Sequence, residues 1–493
     1  MTGRPGHPAR TARAVTAGLL AADVAFAFQQ TAVVPAIHSV EQSLGASREW
    51  SAWLITVYLI VATIATPAMG RLADLHGRRR LLLIGLAMFT AGSVGAAFAP
   101  DTAMLLACRA IQGVGGSVYP LTLAMARGLF RPERAGRVIA WSAGAFGFGT
   151  AAGFVGGGLL AQYASWRWIF VVGALLVATG FGLVLALVPR TAENAGGGYD
   201  WRGTTALAAA AIGLLVALTL IVPLGWASPV IAGLLLLTAL AAAAWVRLEQ
   251  KVPDPLIDVH ALRTPAVLRA NLATVGLGWA LFGSYLLVPE FALAQPGTSH
   301  YGLGASIAAV GFIMLPLAIG QTVAGPLAGA VSRRVNPRAV FAAGLGMTAA
   351  ALAWLSVIRG GLPQTAGALL VLGAGAGTGL QSSSNVATQG VSADVAAASS
   401  SLNSTVRRFA GGIGGQVTTI LLASYPVVTT GQPQFAAFTL AYLIAAVLCL
   451  AGIGTLLLGR NGKARGARTA ETAVDARQPA ASAEGRGQPS PHR

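Results

Sequence analysis

The chain has 493 residues, 55% of them hydrophobic and only 10% charged, with a mean hydropathy of +0.68. A soluble domain carries about a quarter of its residues as charges, so that class is excluded and an all-α polytopic membrane protein is implied. The formal net charge of +17 lies in short loops and tails, where arginines set topology; membrane lipids, not nucleic acid, are the expected partners. Residues 1–13 are a Pro/Arg/Gly tail too polar and too short to fold, and no small-residue cleavage site follows the first apolar run, which is read as a retained helix. Apolar runs fall at about 14–37, 51–70, 81–99, 103–126, 137–161, 166–188, 203–223, 227–247, 267–293, 304–331, 338–358, 364–391, 401–424 and 436–458. Each gives roughly 30 Å of helix, enough for one bilayer crossing.

An even number of spans puts both termini on one side. Arg4, Arg10, Arg13, Arg71 to Arg80, Arg127 to Arg137, Arg190, Arg202, Arg247 to Arg269, Arg333 to Arg338 and Arg460 onward all fall there, while the opposite loops hold little beyond Glu41, Arg48, Glu49, Asp101, His300 and Arg359. By the positive-inside rule both ends are cytoplasmic, in a cell inner (plasma) membrane. Residues 459–493, rich in Arg, Ala, Gly and Pro, are expected to be disordered and to touch anionic lipid. Cys108 and Cys449 both lie inside apolar runs and imply no disulfide.

Between the second and third runs stands Gly70 to Arg80, GRLADLHGRRR, with four arginines against the single acid Asp74. Gly70 and Gly77 allow the turn and close helix approach, and Asp74 can cap or ion-pair a neighbouring helix end. Any short cytoplasmic loop collects arginines, but both glycines and the lone aspartate at this spacing, with Arg78 and Arg79, resemble the signature loop of the major facilitator superfamily of secondary transporters. GAVSRRVNPR from Gly329 to Arg338 echoes it, with Arg333 where Asp74 stands in the first copy. Such an internal echo is expected of two six-helix bundles rocking about a central site. The bundles are then 14–188 and 267–458, with a loop at 189–202, two additional spans at 203–247 and a linker at 248–266. Fourteen helices with this insertion resemble the larger drug:proton antiporter group of the superfamily.

In the fourth span, Arg109-Ala-Ile-Gln112-Gly113-Val-Gly115 resembles the family motif whose arginine is implicated in proton transfer. An intramembrane charge must face the bundle interior and find a partner, so Arg109 also reads as a strut on backbone carbonyls. In the fifth span Gly149, Gly153, Gly157 and Gly158 follow the family's antiporter motif, with Phe154 replacing its proline. Small residues at that spacing let two helices pack closely, in a helix expected to seal one end of the pathway; losing the proline loses a kink. Trp166 to Phe170 at the start of the sixth span also resembles the group.

In the first span, Gln30 to Ile37 resembles a family pattern whose usual acid would fall at Phe26, and Asp23 lies one turn earlier on nearly the same face. Counting about 1.5 Å per residue, Asp23 sits roughly 15 Å deep and Arg109 within about 5 Å of that depth, a gap a flexible arginine can span. Asp23 is therefore read either as the displaced coupling carboxylate or as a buried aspartate bonded to polar neighbours. Glu290 reads as a second protonatable group or as an interfacial acid. Gln381 to Asn385 form a polar band, and Asn403, Arg407 and Arg408 mark the thirteenth span. With Phe26, Gln30 and Gln112 they are candidates for lining a cavity, or for interhelical glue.

No G-x-x-x-x-G-K-[ST] loop is present, the glycine run from Gly373 to Gly379 lies in an apolar span with no preceding strand, and the six histidines show no ligand spacing. No nucleotide cofactor and no metal is expected, and a proton gradient is the expected driving force. The implied function is a non-enzymatic one: a monomeric secondary transporter exporting amphipathic small-molecule organic compounds in exchange for protons. An importer or uniporter, or a transport-inactive sensor or scaffold, are the alternatives.

Overall fold

The computed structural model describes residues 9–46, 48–190, 198–252, 264–388, 393–426 and 432–458. Most of the predicted tails and of the 248–266 linker lie outside them. The described residues form helices without a strand: α1 Ala9–Ala32, α2 Ile37–Leu44, α3 Arg48–His76, α4 Arg78–Ala97, α5 Thr102–Val114, α6 Val118–Leu129, α7 Pro132–Tyr163, α8 Trp166–Leu187, α9 Trp201–Leu224, α10 Pro229–Glu249, α11 Pro265–Leu293, α12 Pro296–Ser299, α13 Ile307–Ile313, α14 Leu315–Val331, α15 Pro337–Leu355, α16 Leu362–Ala387, α17 Ala393–Ser424 and α18 Phe435–Leu457. Helices dominate because lipid offers the backbone no hydrogen bonds.

Among the described residues, 11 helical stretches are long and apolar enough to cross a membrane. The other three predicted spans are helical but fall short by this measure. The fourth is interrupted by a 3₁₀ turn at Gly115–Ser117, between helices of 13 and 12 residues. The break lies where small residues meet close neighbours: a Cβ on Gly115 would overlap the ring of Phe89, and one on Gly116 the methyl of Ala62. The twelfth and thirteenth, α16 and α17, have the length, 26 and 32 residues, but carry the polar band and the arginine pair. α16 is packed between α14 and α15, and α17 between α3 and α11, so neither needs the apolarity of a lipid-facing helix.

In the first half α1 packs on α7 and α8, α4 on α5 and α8, and α3 on α5; in the second α16 packs on α14 and α15, and α11 on α17 and α18. The halves meet along two seams, α3 against α17 and α7 against α13 and α14. The additional pair α9 and α10 lies beside the first seam, with α9 against both α3 and α17. Thr219 on α9 ties the two: Trp53 Nε1 donates to its hydroxyl at 2.8 Å, and that hydroxyl is 3.1 Å from Gln416 Oε1. Only Ile231 and Glu249 of α10 are buried, so its remaining face is left to lipid.

Candidate functional site

Asp23 on α1 has no exposed surface. The Thr122 hydroxyl on α6 lies 2.6 Å from Asp23 Oδ1 and 2.8 Å from the Tyr119 carbonyl. Asp23 Oδ2 and the Ser142 hydroxyl on α7 are both buried without a hydrogen-bond partner. One turn on, Phe26 packs 6.0 Å, ring to ring, from both Phe89 and Phe146, and Tyr119 lies 4.8 Å from Phe146. The carboxyl thus borders an aromatic cluster built by α1, α4, α6 and α7.

Arg109 on α5, 1% exposed, faces elsewhere. Its Nε donates to the Leu54 carbonyl on α3 at 2.8 Å and its Nη1 to Gln112 Oε1 at 2.8 Å; Gln112 Nε2 donates to Ser93 Oγ on α4 at 2.8 Å. The guanidinium also sits 4.8 Å from the centroid of Tyr58. Every one of these partners stitches α3, α4 and α5 together, which is the strut arrangement. The expected reach of Arg109 to Asp23 is corrected here: the two share no hydrogen bond or ion pair. The row Phe26, Phe89 and Tyr58, each ring edge-on to the next at 6.0 and 6.4 Å, stands between them, and matched depth does not imply a clear line of approach.

On the other side of the α3/α17 seam stand two arginines of α17. Arg408 is spoken for: Nη1 donates to the Ala62 carbonyl at 3.1 Å and to Thr66 Oγ1, and Nη2 to the Gly116 carbonyl at 3.1 Å. Arg407 is part-exposed and makes no hydrogen bond or ion pair with any described residue. Asn403, expected in a cavity wall, is fully buried and donates to Asn271 Oδ1 at 3.3 Å and Thr274 Oγ1 at 2.8 Å on α11; like Gln112 it is interhelical glue. Phe26 is likewise buried. Gln30 and Asn385 are part-buried, while Gln381 is exposed beside Gly329. Glu290 lines a small pocket at the opposite end of the seam with His38, Glu41 and Pro289.

The signature loop closes on its own half. Asp74, in the last turn of α3, accepts from Arg78 Nη2 at 3.1 Å, and Arg78 Nη1 reaches the Ala124 carbonyl of α6 at 3.2 Å. Arg79 Nη2 donates to the Leu185 carbonyl of α8 at 2.6 Å. These arginines satisfy carbonyls near helix C-termini, which also carry the negative end of the helix dipole. Gly77 caps α4 with φ of 90°, which other residues adopt only under strain. The Asp74–Arg78 pair is 48% and 36% exposed, so it contributes at most about 1 kcal/mol.

α7 is the wedge between the halves. Gly149, Gly153 and Gly157 face α1, where added Cβ atoms would meet Val24, Phe28 and Ala32 backbone; Gly158 faces the carbonyls of Ile307 and Ala308 on α13. Phe154, fully buried, sets its ring edge-on to Tyr285 of α11 at 5.6 Å, and the backbone of Gly311 approaches its carbonyl. The residue that replaces the family's proline therefore fills the junction of the halves, and α7 runs on without a break from Pro132 to Tyr163. Periodicity alone gave no signal for this contact.

A model of the Major Facilitator Superfamily matches residues 19–415. The chain belongs to that superfamily. It is 30% identical over 80% of its length to a multidrug resistance protein B homolog of Mycobacterium tuberculosis, of which 73% is covered. It is 27% identical over 86% of its length to the tetracenomycin C resistance and export protein of Streptomyces glaucescens, of which 77% is covered. In structure it resembles the peptide transporter POT, with a TM-score of 0.66 at 16% identity over 92% of this chain and 95% of that one. This superfamily member is a multi-pass membrane transporter and not an enzyme.

Proposed function

We propose that this transporter exports amphipathic organic compounds, antibiotics among them, across the plasma membrane in exchange for protons, and that Asp23 is the group that takes and releases the proton. Relatives named for multidrug resistance and for antibiotic export support the direction and the compound class. The observation that carries proton coupling is the Thr122 hydroxyl held between two acceptors, Asp23 Oδ1 and the Tyr119 carbonyl. A hydroxyl has one proton to give and can accept as well. With Asp23 ionised, Thr122 donates to it. With Asp23 protonated, the carboxyl donates to Thr122 Oγ1, which turns its own proton to the Tyr119 carbonyl. Oδ1 stays paired with Thr122 in both states without a helix moving, and Oδ2 has no partner in this arrangement. The aromatic cluster beside it offers ring faces to an apolar substrate.

The test is efflux of a panel of antibiotics and dyes from proteoliposomes with and without an imposed pH gradient. Gradient-driven export is expected from the native protein, and Asp23→Asn is expected to lose it by at least about tenfold while keeping downhill movement, since a neutral amide binds no proton. Full gradient-driven efflux in Asp23→Asn would make Asp23 structural and Glu290 the next acid to test. Downhill movement alone in the native protein would end the coupling proposal.

The reading extends to fourteen spans, a single functional protomer and both termini in the cytoplasm. A reporter active only in the cytoplasm should work when fused after Arg80, Arg137, Arg338 or Arg460, and fail after Asp101 or His300. Activity at His300 is incompatible with that topology.

A further inference from the structure

We propose that Arg407 reads the charge of the substrate, and that the compounds preferred are amphipathic organic acids rather than cations. This rests on the exporter reading above and names its substrate class. The neighbouring arginines of α17 make the case by contrast. Arg408 is held by three acceptors on α3 and the Gly115–Ser117 turn, and Arg109 by two on its own half. Arg407 makes no hydrogen bond or ion pair with any described residue, keeps part of its surface uncovered, and adjoins Arg408, which crosses to the Gly116 carbonyl one turn before Tyr119. Its backbone is pinned, since a Cβ on Gly278 of α11 would collide with the Arg407 carbonyl, so the side chain is presented from a fixed point.

The charges around it do not cancel. Arg109, Arg407 and Arg408 lie within the helix packing, and Asp23 has a single hydrogen-bonded oxygen and gives Arg407 no ion pair. A part-covered guanidinium without a partner attracts an anion, and its planar fork suits a carboxylate, sulfonate or phenolate. A cation entering the same space meets repulsion from Arg407 whichever state Asp23 is in. The part-buried rings of Tyr119 and Phe146 then take the apolar part of the molecule, which makes the site amphipathic in the sense of its substrate.

The test uses three head groups, a carboxylate, its uncharged amide and a methylammonium, each on naphthalene, anthracene and cholane scaffolds. Binding to the purified full-length protein in detergent is read by the shift in its melting temperature and by equilibrium dialysis, and transport is followed in proteoliposomes. The acid of each scaffold is expected to bind about tenfold more tightly than its cation. Arg407→Gln should abolish that ratio while leaving the amides unchanged, and Arg407→Lys should restore part of it, which a merely structural arginine would not do. A flat charge order in the native protein, an unchanged ratio in Arg407→Gln, or no binding by any of the nine compounds overturns the proposal. Transport without an acid preference sinks it and leaves the exporter reading standing; an acid preference in binding with nothing transported does the reverse.

Discussion

Gly157→Val is expected to leave little assembled protein. A Cβ at this position would lie 2.7 Å from the Ala32 carbonyl carbon and closer still to its oxygen. Those neighbours are backbone atoms of α1, which no rotamer change can move. α7 cannot retreat either, because its adjoining face meets α13: a Cβ on Gly158 would be 2.9 Å from the Ile307 carbonyl oxygen. Overpacking a tight contact costs about 1–3 kcal/mol, and valine adds two further methyls to a helix held on both sides, so a loss at the upper end, about 3 kcal/mol, is expected. Thermal unfolding in detergent, followed by fluorescence, measures it. Gly182→Val on α8 is the control: it has open space around it and should stay within about 0.5 kcal/mol of the native protein. Equal melting of the two variants would mean that α1 and α7 are not in this contact.

The second large effect is at Arg109. Arg109→Ala removes the largest fully buried side chain of the described residues, opens a cavity and strips Gln112 Oε1 of its donor. An unsatisfied buried amide costs about 1–3 kcal/mol and cavity formation adds to it, so a total on the order of 3–5 kcal/mol is expected. Arg109→Lys separates the two roles read for this residue. Lysine keeps the charge but not the fork that serves Leu54 and Gln112 together, so a strut should lose about 1–2 kcal/mol. The surviving protein should keep its ratio of gradient-driven to downhill efflux. A collapsed ratio with native stability would return Arg109 to proton transfer.

Hydropathy recovers eleven spans among the described residues, the interior helices α1, α3 and α11 included, and passes over three. α5 is cut short by the turn at Gly115–Ser117, and α16 and α17 carry polar residues where they pack on other helices; these are the ones that hold Arg109, the polar band and Arg407. The site was legible in part for the same reason that intramembrane charges are always conspicuous: Asp23 and Arg109 stand out in an apolar run. What they face was not legible. Sequence fixes depth along a helix, about 1.5 Å per residue, but the ring of Phe89 entering between Phe26 and Tyr58 depends on how α4 is rotated against α1 and α3. Phe154 is the same lesson inverted. As a missing proline it reads as a lost bend; in the packed molecule its ring closes α7 against Tyr285 while its backbone carbonyl meets Gly311.

The placement of α9 makes the two flanks of the molecule mechanically unlike. Along α3 and α17 a third helix is bonded to both partners through Thr219, so any relative tilt there must drag α9 along or break one of its hydroxyl contacts and find another. Along α7, α13 and α14 the join is made by close backbone approaches, Gly158 against Ile307 and Ala308 and Gly311 against Phe154, and by the Ile307 N–H donating to Gln162 Oε1 at 3.1 Å. The two flanks are therefore held by different means, a third helix bonded across the first and close-packed glycine backbone along the second.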